Sequence, residues 1–301
     1  MPHDVAYPPL DTLKPVADAV WIVDGNPIKA GGLPLPVRMT VVRLSTGDLL
    51  LYSPTRYTPD LQRDLERLGP IRHLVAPNVG HWMFLGNWQR ACPGATTWGV
   101  PGLRDRAQVR ASGVRIDREL GSVPPPEWSR EVDQVFLQAA FFTEVDLFHR
   151  PSRTLMVADI VLNVEGRRMP PLPRFMAGVL GILEPDGRAP LYLRLLLRTN
   201  RRAVAEAAAR LVGFEPRRVI VSHGRVLDLD APARLQHSLR WLLGWGDAKA
   251  GGVDLGPRSL PGAGAIGTGL AVGVGLVLGI NLMVVASRER SADRQRRAPR
   301  G

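Results

Sequence analysis

His81, Asp159 and His223, with Glu144 and Asn78 beside them in kind, are the side chains of this chain best suited to chemistry. Imidazole nitrogens and carboxylate oxygens make a mixed donor set that suits Zn, Mn or Fe, and three protein ligands leave a position for water. Ligand atoms converging to about 2.0–2.2 Å from one point would form a hydrolytic centre, with Asp159 as its catalytic carboxylate. Each residue also has a plainer use. A strand-ending aspartate caps a following helix, and a histidine next to a glycine, as His223 is next to Gly224, bonds a backbone carbonyl. His149 runs into the turn sequence Arg150-Pro151-Ser152 and reads as structural, and His73 reads as a buried or edge histidine in an apolar run. His3 and His237 have no constellation around them.

Several other chemistries find no support. Gly31-Gly32 and Gly102 form neither a dinucleotide fingerprint nor a phosphate loop, so no nucleotide cofactor is implied. The chain has no G-x-S-x-G elbow, and Ser222 and His223 are merely adjacent, which gives no serine nucleophile a base. Cys92 is the single cysteine, which rules out an intrachain disulfide and a thiolate-rich zinc site and suits a reducing compartment.

The elements that must position these side chains follow from apolar patterning. Short runs rich in Val, Ile and Leu predict strands at 19–23, 39–44, 49–52, 72–76, 95–99, 132–139, 144–148, 154–158 and 218–222. Thr46-Gly47-Asp48 makes a turn between two of them. Thr58 is a good N-cap, Pro59 suits the first helical position, and Leu61, Leu65 and Leu68 recur at helical spacing. Further helices are expected within 191–196 and over 201–212 and 231–243. Asn78 and His81 then follow one strand, Glu144 opens another, and Asp159 and His223 close two more, where a rigid sheet aims loops at one point. Trp82, Phe84, Trp88 and Trp98 either pack near that point or line an apolar substrate pocket.

At these residues the chain resembles the metallo-β-lactamase fold and, within it, a bacterial family, DUF4336. The resemblance rests on Val37-Arg38-Met39-Thr40-Val41-Val42-Arg43-Leu44, on Gly69-Pro70-Ile71-Arg72-His73-Leu74-Val75-Ala76-Pro77-Asn78, and on Phe148-His149-Arg150-Pro151-Ser152-Arg153-Thr154-Leu155, and it covers residues 16–243. It implies an α/β domain of the αββα sandwich type. In active members the loop after the corresponding strand reads H-x-H-x-D-H and holds one or two ions that activate water. Here the loop reads Asn78-Val79-Gly80-His81-Trp82-Met83, with His81 out of phase, and Ala139-Ala140-Phe141-Phe142-Thr143-Glu144 replaces the next histidine turn. Asp159 matches the bridging aspartate, and His223-Gly224 the last histidine with its glycine. The resemblance therefore implies a metal-dependent hydrolase acting on a small molecule, or a binding or scaffold module that keeps the fold without metal.

Beyond the domain at 1–246 and a Gly/Pro-rich linker at 247–264, residues 265–286 run without a charge. As a helix those 22 residues span about 33 Å, the thickness of a bilayer's hydrocarbon core. A single-pass membrane helix is expected, since an in-plane helix needs a polar stripe that this segment lacks. Gly269, Gly273, Gly275 and Gly279 offer a small-residue stripe along which copies of the chain would self-associate. The tail, 287–301, carries six arginines against Glu289 and Asp293, suited to anionic headgroups. The rest of the +11 charge is spread out and not interleaved with aromatics, so nucleic acid is not an expected partner. The expected home is the membrane, with the main domain on the cytoplasmic side.

Overall fold

The computed structural model describes residues 4–244. Its first half builds a seven-stranded sheet from Lys14–Ala17 (β1), Val20–Ala30 (β2), Leu33–Arg43 (β3), Leu49–Tyr52 (β4), Ile71–Ala76 (β5), Thr96–Gly99 (β6) and Arg118–Glu119 (β7), in that spatial order. The pairs from β1 to β4 are antiparallel, and those from β4 to β7 are parallel. Pro59–Glu66 (α1), Leu85–Ala91 (α2) and Ala107–Ser112 (α3) lie between the parallel strands in sequence. α1 starts as its residues dictate: Thr58 Oγ1 accepts the Leu61 N–H at 3.2 Å, and Pro59 takes the first turn.

The second half adds a four-stranded sheet from Val132–Ala139 (β8), Phe142–His149 (β9), Thr154–Val157 (β10) and Arg218–Val221 (β11), in the order β11-β10-β9-β8. Pro171–Leu180 (α4), Leu191–Leu197 (α5) and Arg201–Gly213 (α6) fall between β10 and β11, and Ala231–Leu243 (α7) follows. Alternation in β10 and β11 divides two cores: Met156 and Ile220 join Val41, Leu51 and Leu74 between the sheets, while Leu155, Val157, Val219 and Val221 face Leu193, Val204, Leu211 and Leu235 of the helices. Tyr52 also links the sheets, donating its hydroxyl to the Val145 carbonyl at 3.1 Å. The layers are those of the αββα expectation.

The short elements β1, β7, α2 and α3 were not among those expected, and Glu144 is the third residue of β9 rather than its first; two larger features also depart from the expected elements. β2 and β3 run well beyond 19–23 and 39–44 into a long antiparallel arm. Asn26-Pro27, Pro34 and Pro36 read as breaks, but the register shift between Gly25 and Ile28 absorbs the first. β4 pairs with β3 only along Thr40–Arg43, so the prolines of β3 interrupt no second ladder. The second large departure is α4, also absent from the expected helices, which buries only Ala177 and packs beside the arm over a small third core of Leu33, Leu35, Leu162 and Ile182. Among the described residues no helix is long and apolar enough to cross a membrane; the expected span at 265–286, its linker and its tail lie outside them.

Candidate metal centre

His81, Asp159 and His223 come from three loops, after β5, β10 and β11, and one ligand atom from each lies within 4.8 Å of the other two. Asp159 stands between the imidazoles, with Oδ2 3.5 Å from His81 Nε2 and Oδ1 3.4 Å from His223 Nε2. Both rings are held by their other nitrogen. His223 Nδ1 meets the Pro36 carbonyl at 2.7 Å, which requires the proton on Nδ1, so Nε2 is the nitrogen turned to Asp159 and the one that would bind an ion once it gives up its own proton. His81 Nδ1 meets Ser53 Oγ at 2.6 Å. Ser53 has φ 55°, a backbone region uncommon outside glycine, at the sharp exit from β4.

Charge is concentrated here. Burial alone would lift the Asp159 carboxyl, but the charge and hydrogen bonds of His81 and His223 outweigh it and hold the group well below the usual carboxylate range. Burial likewise pulls the His223 imidazole down, and it loses to the hydrogen bond and charge of Asp159 and to Pro36, which lift it.

Glu144 and Asn78 stand behind this group rather than in it. Glu144, fully buried, accepts the backbone N–H groups of Ala158 at 3.2 Å, Asp159 at 2.8 Å and Ile160 at 3.0 Å. The Asn78 amide donates both to Glu144 Oε2 at 2.9 Å and to Asp159 Oδ2 at 2.8 Å, while Asn78 Oδ1 accepts from Gly80 N–H. Every oxygen that would make them ligands is thus engaged in holding Asp159 and the loop of His81. Burial and the Asp159 charge raise the Glu144 pKa against the pull of these donors. Asp146, two residues along the same strand and also fully buried, has its carboxyl pushed well up by burial and by Glu144.

The donor set is of the right kind and near the right spacing for an ion. Ligands about 2.1 Å from a tetrahedral centre stand about 3.4 Å apart; the imidazoles here approach different oxygens of Asp159, at 3.5 and 3.4 Å, and one atom from each of the three residues lies within 4.8 Å of the others, so an ion would draw them closer together. With both Nδ1 atoms committed elsewhere, His81 and His223 present the atoms a metal would need. Three ligands suit one ion, not two.

The group forms the floor of a cleft of about 400 Å³. Ser53, Thr55 and Tyr192 are the other polar side chains lining it; apolar side chains of the arm and α4 make the walls. Burial, with the charge of Asp159, keeps the Tyr192 phenol protonated far above neutral pH. Phe84 lines the cleft as a wall residue, whereas Trp82, Trp88 and Trp98 are buried, Trp88 donating to the Thr55 carbonyl at 2.8 Å. The histidines set aside earlier have structural partners: His149 meets Ser152, His73 accepts from Trp98, and His237 pairs with Asp186. Ser53, Asp146 and Tyr192 were not singled out by their sequence positions.

A family model described as "Domain of unknown function (DUF4336)" matches residues 17–177. No curated protein matches the chain. Solved structures similar to it include a metallo-beta-lactamase from Pontibacter korlensis, 13% identical with a TM-score of 0.53, covering 77% of this chain and 98% of that one. The DIM-1 metallo-beta-lactamase exposed to ceftazidime is 14% identical, with a TM-score of 0.53 and coverage of 77% and 96%. The metal-soaked Flv1 flavodiiron core from Synechocystis sp. PCC6803 is 9% identical, with a TM-score of 0.53 and coverage of 77% and 60%. At such identities the likeness establishes the fold.

Proposed function

The chain belongs to the DUF4336 family, and from that premise we propose that it is a membrane-anchored hydrolase of metallo-β-lactamase fold, working through one ion of Zn, Mn or Fe at His81, Asp159 and His223. The observation that carries the reading is the pair of imidazoles whose Nδ1 atoms are tied to Ser53 and Pro36 while both Nε2 atoms converge on one carboxylate. Such an ion supplies Lewis acidity and a water acidic enough to attack near neutral pH. The chain's own residues do the rest. Asn78 and the backbone cage around Glu144 fix the Asp159 carboxylate. Tyr192, neutral at every working pH, offers a proton to an oxygen of the substrate, and the apolar walls keep bulk water away. The uncharged run at 265–286 supports the anchor.

The loop Asn78-Val79-Gly80-His81 favours a second reading, a binding module without metal, because it lacks most of the family fold's ligands. Metal analysis of the purified full chain separates the two. One ion per chain is expected, and saturation at a hundred times Kd raises stability by about 2.7 kcal/mol. His223→Ala is expected to lose the ion and His237→Ala to keep it. Metal-free protein, with a melting temperature that chelator does not change, leaves the binding module as the function.

A further inference from the structure

The walls of the cleft are built for something other than a polar substrate. Leu33 and Leu35 of the arm face Phe175, Met176 and Val179 of α4 above the polar floor. Those α4 side chains also reach solvent: Phe175 is 70% exposed, Val179 58% and Met176 40%, and Leu172 on the same helix is 70% exposed. One apolar surface therefore leads from outside the molecule down to His81, Asp159 and His223. The chain on either side of α4 is cationic in sequence. Residues 167–202 hold eight arginines against Glu184 and Asp186. Even with Glu165 and Glu206, which pair with Arg167, Arg168 and Arg202, arginines outnumber acids two to one.

Taking its chemistry from the hydrolase reading above, we propose that the α4 face seats on an anionic lipid bilayer and that the cleft draws in the acyl chain of an amphiphile, whose ester is then hydrolysed at the metal centre, water giving its hydroxyl to the acyl carbon and its proton to the alcohol that leaves as the ester C–O bond breaks. An anionic bilayer answers both features at once, since apolar helix side chains enter the acyl boundary while arginines meet phosphates. The chain beyond the described residues agrees. Twenty residues, 245–264, separate Gly244 from the uncharged segment at 265–286, so the intervening chain reaches at most about 75 Å and would keep the domain beside any lipid that holds that segment. A cleft of about 400 Å³ is of ligand size.

The test uses the full chain in phosphatidylcholine vesicles that contain phosphatidylglycerol bearing a diazirine at the end of an acyl chain. After illumination, labelled residues are mapped by mass spectrometry. Label is expected on α4 and on Leu33 or Leu35, falling at least tenfold there in the double variant Phe175→Asp with Val179→Asp, while label on 265–286 stays unchanged. Both substituted side chains are mostly exposed, so the fold tolerates the charges. Label confined to 265–286, label on α4 that stops short of Leu33 and Leu35, or α4 crosslinked to a second copy or to 265–286 in place of lipid would each overturn the proposal. Metal content of the same vesicles reports separately on the hydrolase reading: metal-free protein that still takes label inside the cleft keeps the amphiphile site and loses the hydrolytic step.

Discussion

Gly224 holds φ at 116°, and a β-carbon there would lie 2.1 Å from the carbonyl oxygen of Asn163. That close approach brings the loop against Asn163, whose N–H donates to the His223 carbonyl at 3.0 Å, and so places the imidazole beside Asp159. His73 shows a histidine put to structural use. Burial holds its imidazole below the ordinary value, against the upward pull of Asp48 and Glu127, and its Nδ1 accepts from Trp98 Nε1 at 3.3 Å. Folding therefore favours the neutral ring, and the unfolded chain takes up the proton first as pH falls. The stability from this residue is whole above the unfolded pKa of about 6.5 and is lost as pH drops through the lower folded value. Between about pH 7.5 and 5 the melting temperature of His73→Phe is expected to fall less than that of the native protein; equal falls would remove His73 from the acid response. His81, Asp159 and His223 were legible because each is a polar residue just past an apolar strand. Ser53 and Tyr192 were not, since their part depends on His81, 28 positions from Ser53, and on the cleft that brings Tyr192 near Asp159.

Between elements, the site hangs on buried polar links that cross the chain at long range. Arg38 in β3 stands opposite Asp24 in β2, with Nη2 2.7 Å from Asp24 Oδ1, and both side chains are almost wholly buried. Its Nη1 also donates to the carbonyls of Val221 and Gly224, which fastens the arm to the His223 loop. Removing Asp24 strands a buried guanidinium, so Asp24→Asn is expected to lower the free energy of unfolding by about 3–5 kcal/mol in urea titration. Adding Arg38→Met should restore part of that stability, because the more deeply buried of Asp24's two cationic partners is then gone and only Lys14, 22% exposed, lacks its carboxylate, yet leave metal affinity reduced, because the staple to Gly224 is gone. Full recovery of both would mean that Arg38 has no part in positioning His223. Glu144 makes the matching link from β9 to the loop of Asp159. Sequence patterning located this strand and the strand before Asp159, as it did α1, α6 and α7, since alternation and helical spacing are local properties. It could not place the arm, whose prolines are harmless only because β4 ends where it does, nor α4, whose apolar residues face solvent and the cleft rather than one core.

For the molecule as a whole, two sets of arginines compete to decide the side of the membrane on which the domain stands. The tail at 287–301 carries six against Glu289 and Asp293, and the positive-inside rule, which weighs short flanks, would hold that tail in the cytoplasm and the domain outside. A large folded domain counts for little under that rule, so its own arginines must act by another route. They do so if the α4 face is seated on lipid: the cytoplasmic leaflet carries the negative surface potential, and each arginine near it contributes about 1 kcal/mol. Net of Glu184, Asp186 and the paired Glu165 and Glu206, the eight at 167–202 match the six of the tail at +4 each, so the apolar α4 face and the lack of charge-driven export of a large domain decide between them. Cys92, buried and unpaired, agrees with a reducing compartment. The domain is therefore expected on the cytoplasmic side, where protease added to intact spheroplasts trims only the tail at 287–301 and cuts residues 4–244 only after permeabilisation. Digestion of residues 4–244 in intact spheroplasts would put the domain outside, and the arginines along 167–202 would then need a partner other than the cytoplasmic leaflet.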